Sequence, residues 1–465
     1  MKTYLLLIFV LVMSHCSGSN GELGIYEGNT RYFSWDDKPI FLASRSFGWT
    51  AISDSHFDFV RDIETMAANG GNLLRLTLFW PGHGDEGGEL PWIRNEETGM
   101  YDLDQFNPAY FEKLHHYIMV AAKNNAIVNL EVFDHPAVKG GSGRWPSHPM
   151  NPARNVNYDD EEFGTSSVDH RFFRSLPMHD NKPVALKYQQ QLLYKVLDET
   201  LDFRNVIYSL GNECPSPLEW NLYWTHLIKD YAAGRGKSNI LVTNMWQRDM
   251  VEFDVFDIQD AQNPYRVRRA NPSQMWSAYQ SVHRWQRDHN NIKPVYDSGQ
   301  MGGAPGSNIL HQLWMSFVGG SAGMRYHRMA PVHPRPGIST EVEVGNWEDP
   351  FHLEQMKWVR NFRQFTKDIE FWTMDPLWDF VIRGEGYAFG RPGDEYIIYL
   401  PAGGRITIRG LERTGHYELH WYDPDQGIYE KTEKLSILED SGEVTFSSPG
   451  QDHWVLHVIR ISGLS

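Results

Sequence analysis

Gly211-Asn212-Glu213 sets an amide and a carboxylate side by side at the end of an apolar run, Asn205 to Leu210. A run of this kind reads as a strand covered on both faces, as in a parallel sheet, and such sheets carry their chemistry where the strands end. Cleaving a glycosidic bond needs a proton donor beside the leaving oxygen and a second carboxylate that attacks the sugar or activates water. A strand-end Glu213 with Asn212 beside it, ready to hold a sugar hydroxyl, suits that work. Its other reading is a solvated cap on the helix that follows.

Further candidates fall near predicted strand ends or in the loops behind them. His135 follows "EVFD", His327 follows "GMRY", and His148 lies in "RWPSHPMNP". A metal site needs three or four converging ligands, and no HExxH-like spacing occurs, so neither a metal nor a cofactor is expected. Each histidine suits packing as well as substrate contact. Trp49, Trp80, Trp145, Trp246 and Tyr265 occupy similar places, where aromatic rings could stack on the apolar faces of sugar rings. "GGSGRWP" and "GQMGGAPG" lack the lysine or the strand-to-helix spacing of phosphate and dinucleotide loops, and no serine nucleophile elbow stands out.

The elements that must position these residues alternate from about residue 39 to 365. Strand-like runs at 39–44, 72–80, 126–133 and 205–212 precede helical stretches at 55–68, 107–124, 183–201 and 217–232. Runs at 239–246, 253–262, 293–298 and 321–327 continue the series, with helical stretches at 272–287, 306–317 and 350–365 and none visible after the fifth strand. Eight strands in this order predict an α/β chain folded as a (β/α)8 TIM barrel. The long connections 134–182 and 328–349 follow strands, on the face where barrel enzymes build their sites, and are expected to wall a cleft.

After about Asp375 short alternating strands replace helices, with turn signals "GRPGD" and "DPDQG", and predict a small all-β antiparallel sandwich with its own core. The expected division is a signal segment and tether over 1–20, the barrel over 21–372 and the sandwich over 373–465. "MKTYLLLIFVLVMSHC" has signal-peptide length and is too short to span a bilayer, so an exported protein is expected, secreted, periplasmic or on the outer surface. Cys16 is a possible lipid-anchor site, although His15 before it fits a lipoprotein signal poorly; Cys214 is the only other cysteine, which leaves no disulfide framework. A formal charge of -16 gives no excess of cations to displace counterions from phosphates, which argues against a nucleic-acid partner.

"RYFSWDDKPIFLAS", "LLRLTLFW", "HPMNPARNVN" and "VIYSLGNE" together resemble the cellulase-like glycosidases of the large retaining-hydrolase barrel clan, over most of residues 30–365. "EYIIYLPAGGRITIRGL" and "ELHWYDPDQGIYEK" resemble the small β-sandwich named for collagen binding that often follows such barrels. The resemblance implies a glycoside hydrolase acting on a polysaccharide or oligosaccharide with retention, Glu213 as acid/base, Asn212 at the hydroxyl next to the reacting carbon, and Arg75 holding carboxylates in place. The clan places a glutamate nucleophile on the seventh strand. Here "KPVYDSGQ" offers only Asp297, expected by alternation to share the face of Gly299 one layer deeper.

Asp297 is the favoured second carboxylate because its strand is the one the clan uses. Wider carboxylate spacing, as in inverting enzymes, or an acid from elsewhere (Asp260, Glu131 or Asp134) are the other readings, and Asp134 and Asp260 also count as substrate-binding candidates. A barrel lacking that glutamate also fits a non-catalytic glycan-binding surface protein. An adhesin working through the tail domain has only the domain name behind it.

Overall fold

The computed structural model describes residues 21–45, 51–53, 57–81, 89–138, 144–163, 171–212, 214, 216–245, 254–261, 271–301, 310–327, 350–412, 415–437 and 442–461. Trp49, Glu213, Trp246 and Tyr265, Cys16 with the whole leader, and the whole of the loop 328–349 lie outside them.

Eight strands carry the first part: β1 (Leu42–Arg45), β2 (Leu73–Thr77), β3 (Ile127–Asp134), β4 (Val206–Asn212), β5 (Leu241–Thr243), β6 (Gln259–Asp260), β7 (Val295–Met301) and β8 (Gly323–His327). Between them run α1 (Phe59–Ala68), α2 (Pro108–Lys123), α3 (Pro183–Thr200), α4 (Leu218–Gly234), α5 (Pro272–Asp288) and α6 (Leu310–Val318), with α7 (Pro350–Thr366) after the last strand. Local chemistry sets the helix starts. Asn107 caps α2 ahead of Pro108, and Asn271 forms a capping box with Gln274 ahead of Pro272 on α5.

All pairings among the eight strands are parallel, in two sheets of order β5-β4-β3-β2 and β6-β7-β8-β1. Hydrogen bonds cross both gaps between the sheets. Asn72 N donates to Ala43 O at 3.0 Å on one side, and Asp257 N donates to Val242 O at 3.0 Å on the other. Arg363 of α7 reinforces the first gap, donating to Gly70 O, Phe41 O and the Asn72 side chain. The architecture is thus mixed α/β with parallel strands in the expected order.

The expected first strand, 39–44, is split. Lys38–Ile40 belongs to a three-stranded antiparallel sheet with Leu23–Ile25 and Phe33–Trp35, and only Leu42–Arg45 joins the parallel set. Asp36 and Asp37, with φ of 51° and 59°, make the two-residue turn of that hairpin, since tight hairpins need two positive φ values.

From residue 375 the chain is all antiparallel. Strands β9 (Asp375–Pro376), β10 (Val381–Arg383), β11 (Tyr387–Arg391), β12 (Glu395–Leu400), β13 (Arg405–Arg409), β14 (His416–Asp423), β15 (Ile428–Ser436), β16 (Glu443–Ser447) and β17 (Trp454–Ile461) form two sheets. One has the order β9-β11-β12-β17-β14-β15 and the other β10-β13-β16. Their facing side chains, among them Tyr396, Ile398, Ile406, Ile408, Trp421 and Leu456, build one core.

The six-stranded sheet is buried on its other face too where β11, β12, β17 and the Tyr422 end of β14 lie, whereas its edge strand β15 stays largely exposed. Phe389, Ile397, Tyr399, Tyr422 and Val455 join the core of α6 and α7. Trp314 stacks on Tyr399 with ring centroids 6.0 Å apart, Phe317 packs on Phe389 at 5.3 Å, and Tyr422 Oη donates to Asn361 O at 2.8 Å. The tail therefore has its own core and shares a second one with the helices.

Candidate active site

The carboxyl ends of β2, β3 and β4 converge through five side chains. Arg75 donates from Nε to Glu131 Oε1 at 2.7 Å and from Nη2 to Asn212 Oδ1 at 2.5 Å. Asn212 Nδ2 in turn donates to Asp134 Oδ1 at 2.8 Å, and Asp134 Oδ2 accepts from Ala137 N at 2.9 Å. Thr77 Oγ1 donates to the second oxygen of Glu131 at 2.9 Å. Every member is buried, with Arg75 and Glu131 at 1 % and 0 % exposure, so this ion pair is held in low dielectric.

Backbone geometry brings these groups together. Asp134 and Asn212 are register partners across β3 and β4, as are Phe133 and Gly211. The two strands pass so closely here that a Cβ on Gly211 would lie 2.1 Å from Phe133 O and 2.4 Å from Cys214 Sγ. This is why a glycine precedes the Asn-Glu pair: only a residue without a side chain lets β4 approach β3 closely enough for the amide to reach Asp134.

Electrostatics follow from burial and charge. Burial works against the charged form of Arg75, but the Glu131 carboxylate, with Asp260 and Asp134 behind it, raises its pKa above the ordinary value. Burial pushes the Asp134 carboxyl up to about 8, against the opposing pull of its hydrogen bond from Asn212. Burial likewise lowers His148 to about 3. Its Nδ1 accepts from Met150 N at 3.0 Å, which puts the proton of the neutral ring on Nε2, and Phe79, Trp145 and Phe172 surround it.

Asp260 and Tyr296 are register partners on β6 and β7 and so face the same way. Tyr296 packs edge-on against Phe33 at 6.0 Å, and its hydroxyl, driven up first by burial, is also held up by Asp260 and Glu131. Asp260 therefore belongs with the Arg75 group. One-residue alternation sets Asp297 on the face of β7 opposite Tyr296, yet the charges of Asp260 and Asp297 both act, after burial, on the hydroxyls of Tyr296 and of Tyr279 on α5. The β7 pairing is irregular between Asp297 and Gln300, so the strict alternation expected to link Asp297 with Gly299 does not run through.

Trp80 is half-buried with the Arg144 guanidinium 5.4 Å from its ring centre, whereas Trp145 is buried and stacked on Phe163 at 5.3 Å, a packing role. His135 opens a single helical turn, Ala137 of which donates to Asp134. His327 ends β8, paired with Met301. Thr77, Asn129, Ser209 and Tyr296 went unremarked in the sequence. For the first two the signal was there: Arg75 and Thr77 in "LLRLT", and Asn129 and Glu131 in "IVNLEVFD", alternate along one face of strands otherwise apolar.

Among the described residues no cluster of His, Cys, Asp and Glu could hold a metal ion, and no helix is long and apolar enough to cross a membrane.

Comparison with known proteins bears on fold and class. A family described only as a domain of unknown function, DUF6298, matches residues 88–260, and the "Putative collagen-binding domain of a collagenase" matches residues 386–459. No curated protein matches the chain. Among solved structures, one titled glycoside hydrolase aligns at 15 % identity over 95 % of this chain and 97 % of its own, with a TM-score of 0.62. A glycoside hydrolase of family 5 from Bacteroides vulgatus aligns at 15 % identity over 95 % and 94 %, with a TM-score of 0.63. At this identity the likeness establishes a shared fold. The structural neighbours are glycoside hydrolases, and the C-terminal part matches the collagen-binding-like domain, as the sequence resemblance implied.

Proposed function

We propose that this chain is an exported glycoside hydrolase that cleaves O-glycosidic bonds in a polysaccharide or oligosaccharide, its eight parallel strands closed as a barrel with the site at their carboxyl ends. The hydrogen bonds across both sheet gaps support closure. The observation that carries the function is the grip on Asn212. Arg75 holds its oxygen and Asp134 its nitrogen, which fixes the amide against flipping. One lone pair and one N–H remain, a match for a sugar hydroxyl that both donates and accepts.

In this reading Glu213, the next residue, gives its proton to the leaving oxygen. A second carboxylate attacks the anomeric carbon, and water deprotonated by Glu213 then releases the sugar with retained configuration. Both oxygens of Glu131 and both of Asp134 are engaged within the protein, which suits positioning rather than attack. We assign the attack to Asp260, supported by the face it shares with Tyr296, with Asp297 as the rival supported by its strand. Trp80, and the sequence candidates Trp49, Trp246, Tyr265, His135 and His327, would line sugar subsites.

Reducing-sugar release from a polysaccharide and oligosaccharide panel tests this with wild type, Glu213→Gln, Asp260→Asn and Asp297→Asn side by side. Glu213→Gln and Asp260→Asn are expected to lose about 10²–10⁴-fold in rate while melting like wild type. Loss in Asp297→Asn alone would move the attack to β7. Glycan binding by wild type without any product would replace catalysis by a binding role.

A further inference from the structure

Beneath the Asn212 grip, a group of buried polar atoms has no hydrogen-bond partner among the described residues: Arg75 Nη1, Asn129 Nδ2 and Oδ1, Ser209 Oγ and Tyr296 Oη. Strand register gathers them. Asn129 is the partner of Arg75 across β2 and β3, and Ser209 is the partner of Glu131 across β3 and β4, so these side chains point the same way. Tyr296 reaches the same charges from β7, since Asp260, Glu131 and Arg75 all act on its hydroxyl. All four residues are at or below 1 % exposure.

A buried amide with both ends unsatisfied costs free energy comparable to lost hydrogen bonds, and sequences do not keep one where an apolar residue would fit. Yet β3 keeps Asn129 between Val128 and Leu130 in an apolar strand. The occupant must therefore satisfy donors and acceptors together. An anion meets the lone pairs of Asn129 Oδ1 and the neighbouring Glu131 carboxylate. A cation meets the Arg75 guanidinium. A neutral molecule that both donates and accepts satisfies every group.

We propose that this layer is a built site for internal water, in which one or more long-lived molecules bridge Asn129 to Arg75 Nη1, Ser209 and Tyr296. The water completes the coordination of Arg75, two of whose nitrogens are committed to Glu131 and Asn212. It thereby steadies from below the guanidinium that orients Asn212. The site is independent of whether the protein hydrolyses glycans.

A crystal structure of the wild-type protein at a resolution that shows ordered solvent tests this directly. Density within hydrogen-bond distance of Asn129 and of at least one of Arg75 Nη1, Ser209 Oγ and Tyr296 Oη is the expected result. A side chain filling the space, or no density there, overturns it. Thermal melts of Asn129→Leu and Ser209→Ala give a second reading. With bridging water both lower the melting temperature; if Asn129→Leu raises it, the amide was unsatisfied and the proposal fails. Should Asn129→Leu fail to fold, Ser209→Ala and the wild-type density still decide.

Discussion

Around Arg75 the parallel strands bury an ion pair, amides and hydroxyls, whereas between α6, α7 and the C-terminal sheet the chain buries aromatic rings: Trp314 on Tyr399, Phe317 on Phe389, Phe365 on Tyr422. The two regions share a molecule but not a logic. Burying a charge pair is close to neutral for stability, because desolvation offsets the attraction, and it becomes costly only when one partner is removed. Burying rings is favourable outright. The polar region thus specifies geometry at little gain in stability, while the aromatic seam supplies the stability that makes such a region tolerable. A tail sheet whose central strands pack on both faces is also poorly suited to act as a detachable module.

The sharpest way to break this contrast is to remove the seam. Deleting residues from 375 onward strips Phe389, Ile397, Tyr399 and Tyr422 from α6 and α7. The truncated protein is expected to lose soluble, cooperative folding, read by size-exclusion chromatography and a thermal melt. A well-behaved truncation would show the seam to be incidental.

Next in size is Arg75→Met, which leaves Glu131 charged, buried and without its guanidinium. A loss of about 3–5 kcal/mol in urea unfolding is expected, and adding Glu131→Gln should recover part of it. An equal loss in the double variant would mean that the two residues do not act as a pair.

A smaller effect comes from Asp134. Its folded pKa, about 8, lies above the unfolded value near 4, so the folded state holds the extra proton between those pH values. Its contribution to stability is complete below about pH 4 and is lost as pH rises toward 8, with a slope of up to about 1.4 kcal/mol per pH unit. Denaturation midpoints from pH 4 to 8 should show this decline, and Asp134→Asn should flatten it. At the bottom of the scale, the exposed Lys431–Glu433 pair on β15 is expected to change stability by less than about 0.5 kcal/mol when Lys431 becomes Ala.

Strand order was readable because the apolar runs ending at Thr77, Asp134 and Asn212 are long and their interruptions polar. Helix starts were readable from Asn107-Pro108 and Asn271-Pro272. The split of 39–44 was harder. The turn that causes it rests on positive φ at Asp36 and Asp37, and aspartates adopt that conformation often enough to allow it without announcing it.

At the site, the place of Arg75 and Asn212 was legible, but the facing of Asp297 was not. Counting by twos assumes an uninterrupted ladder, and the irregular pairing after Asp297 is marked in "VYDSGQM" only by Gly299, an isolated strand glycine of the kind that accompanies bulges. The double burial of the tail sheet was signalled by "YIIYL", too apolar for a strand with one face in water.

The position of β17 governs how the protein can be assembled. This strand, Trp454–Ile461, lies in the middle of the six-stranded sheet, between β12 and β14. During synthesis the ribosome delivers α6, α7 and β12 well before the strand that locks them together. Until it arrives, Trp314, Phe317 and Phe362 have only a partial cover, and β12 offers an open edge to other chains. Maturation of this protein is therefore expected to depend on chaperone protection of an intermediate in which β12 and β14 still await β17.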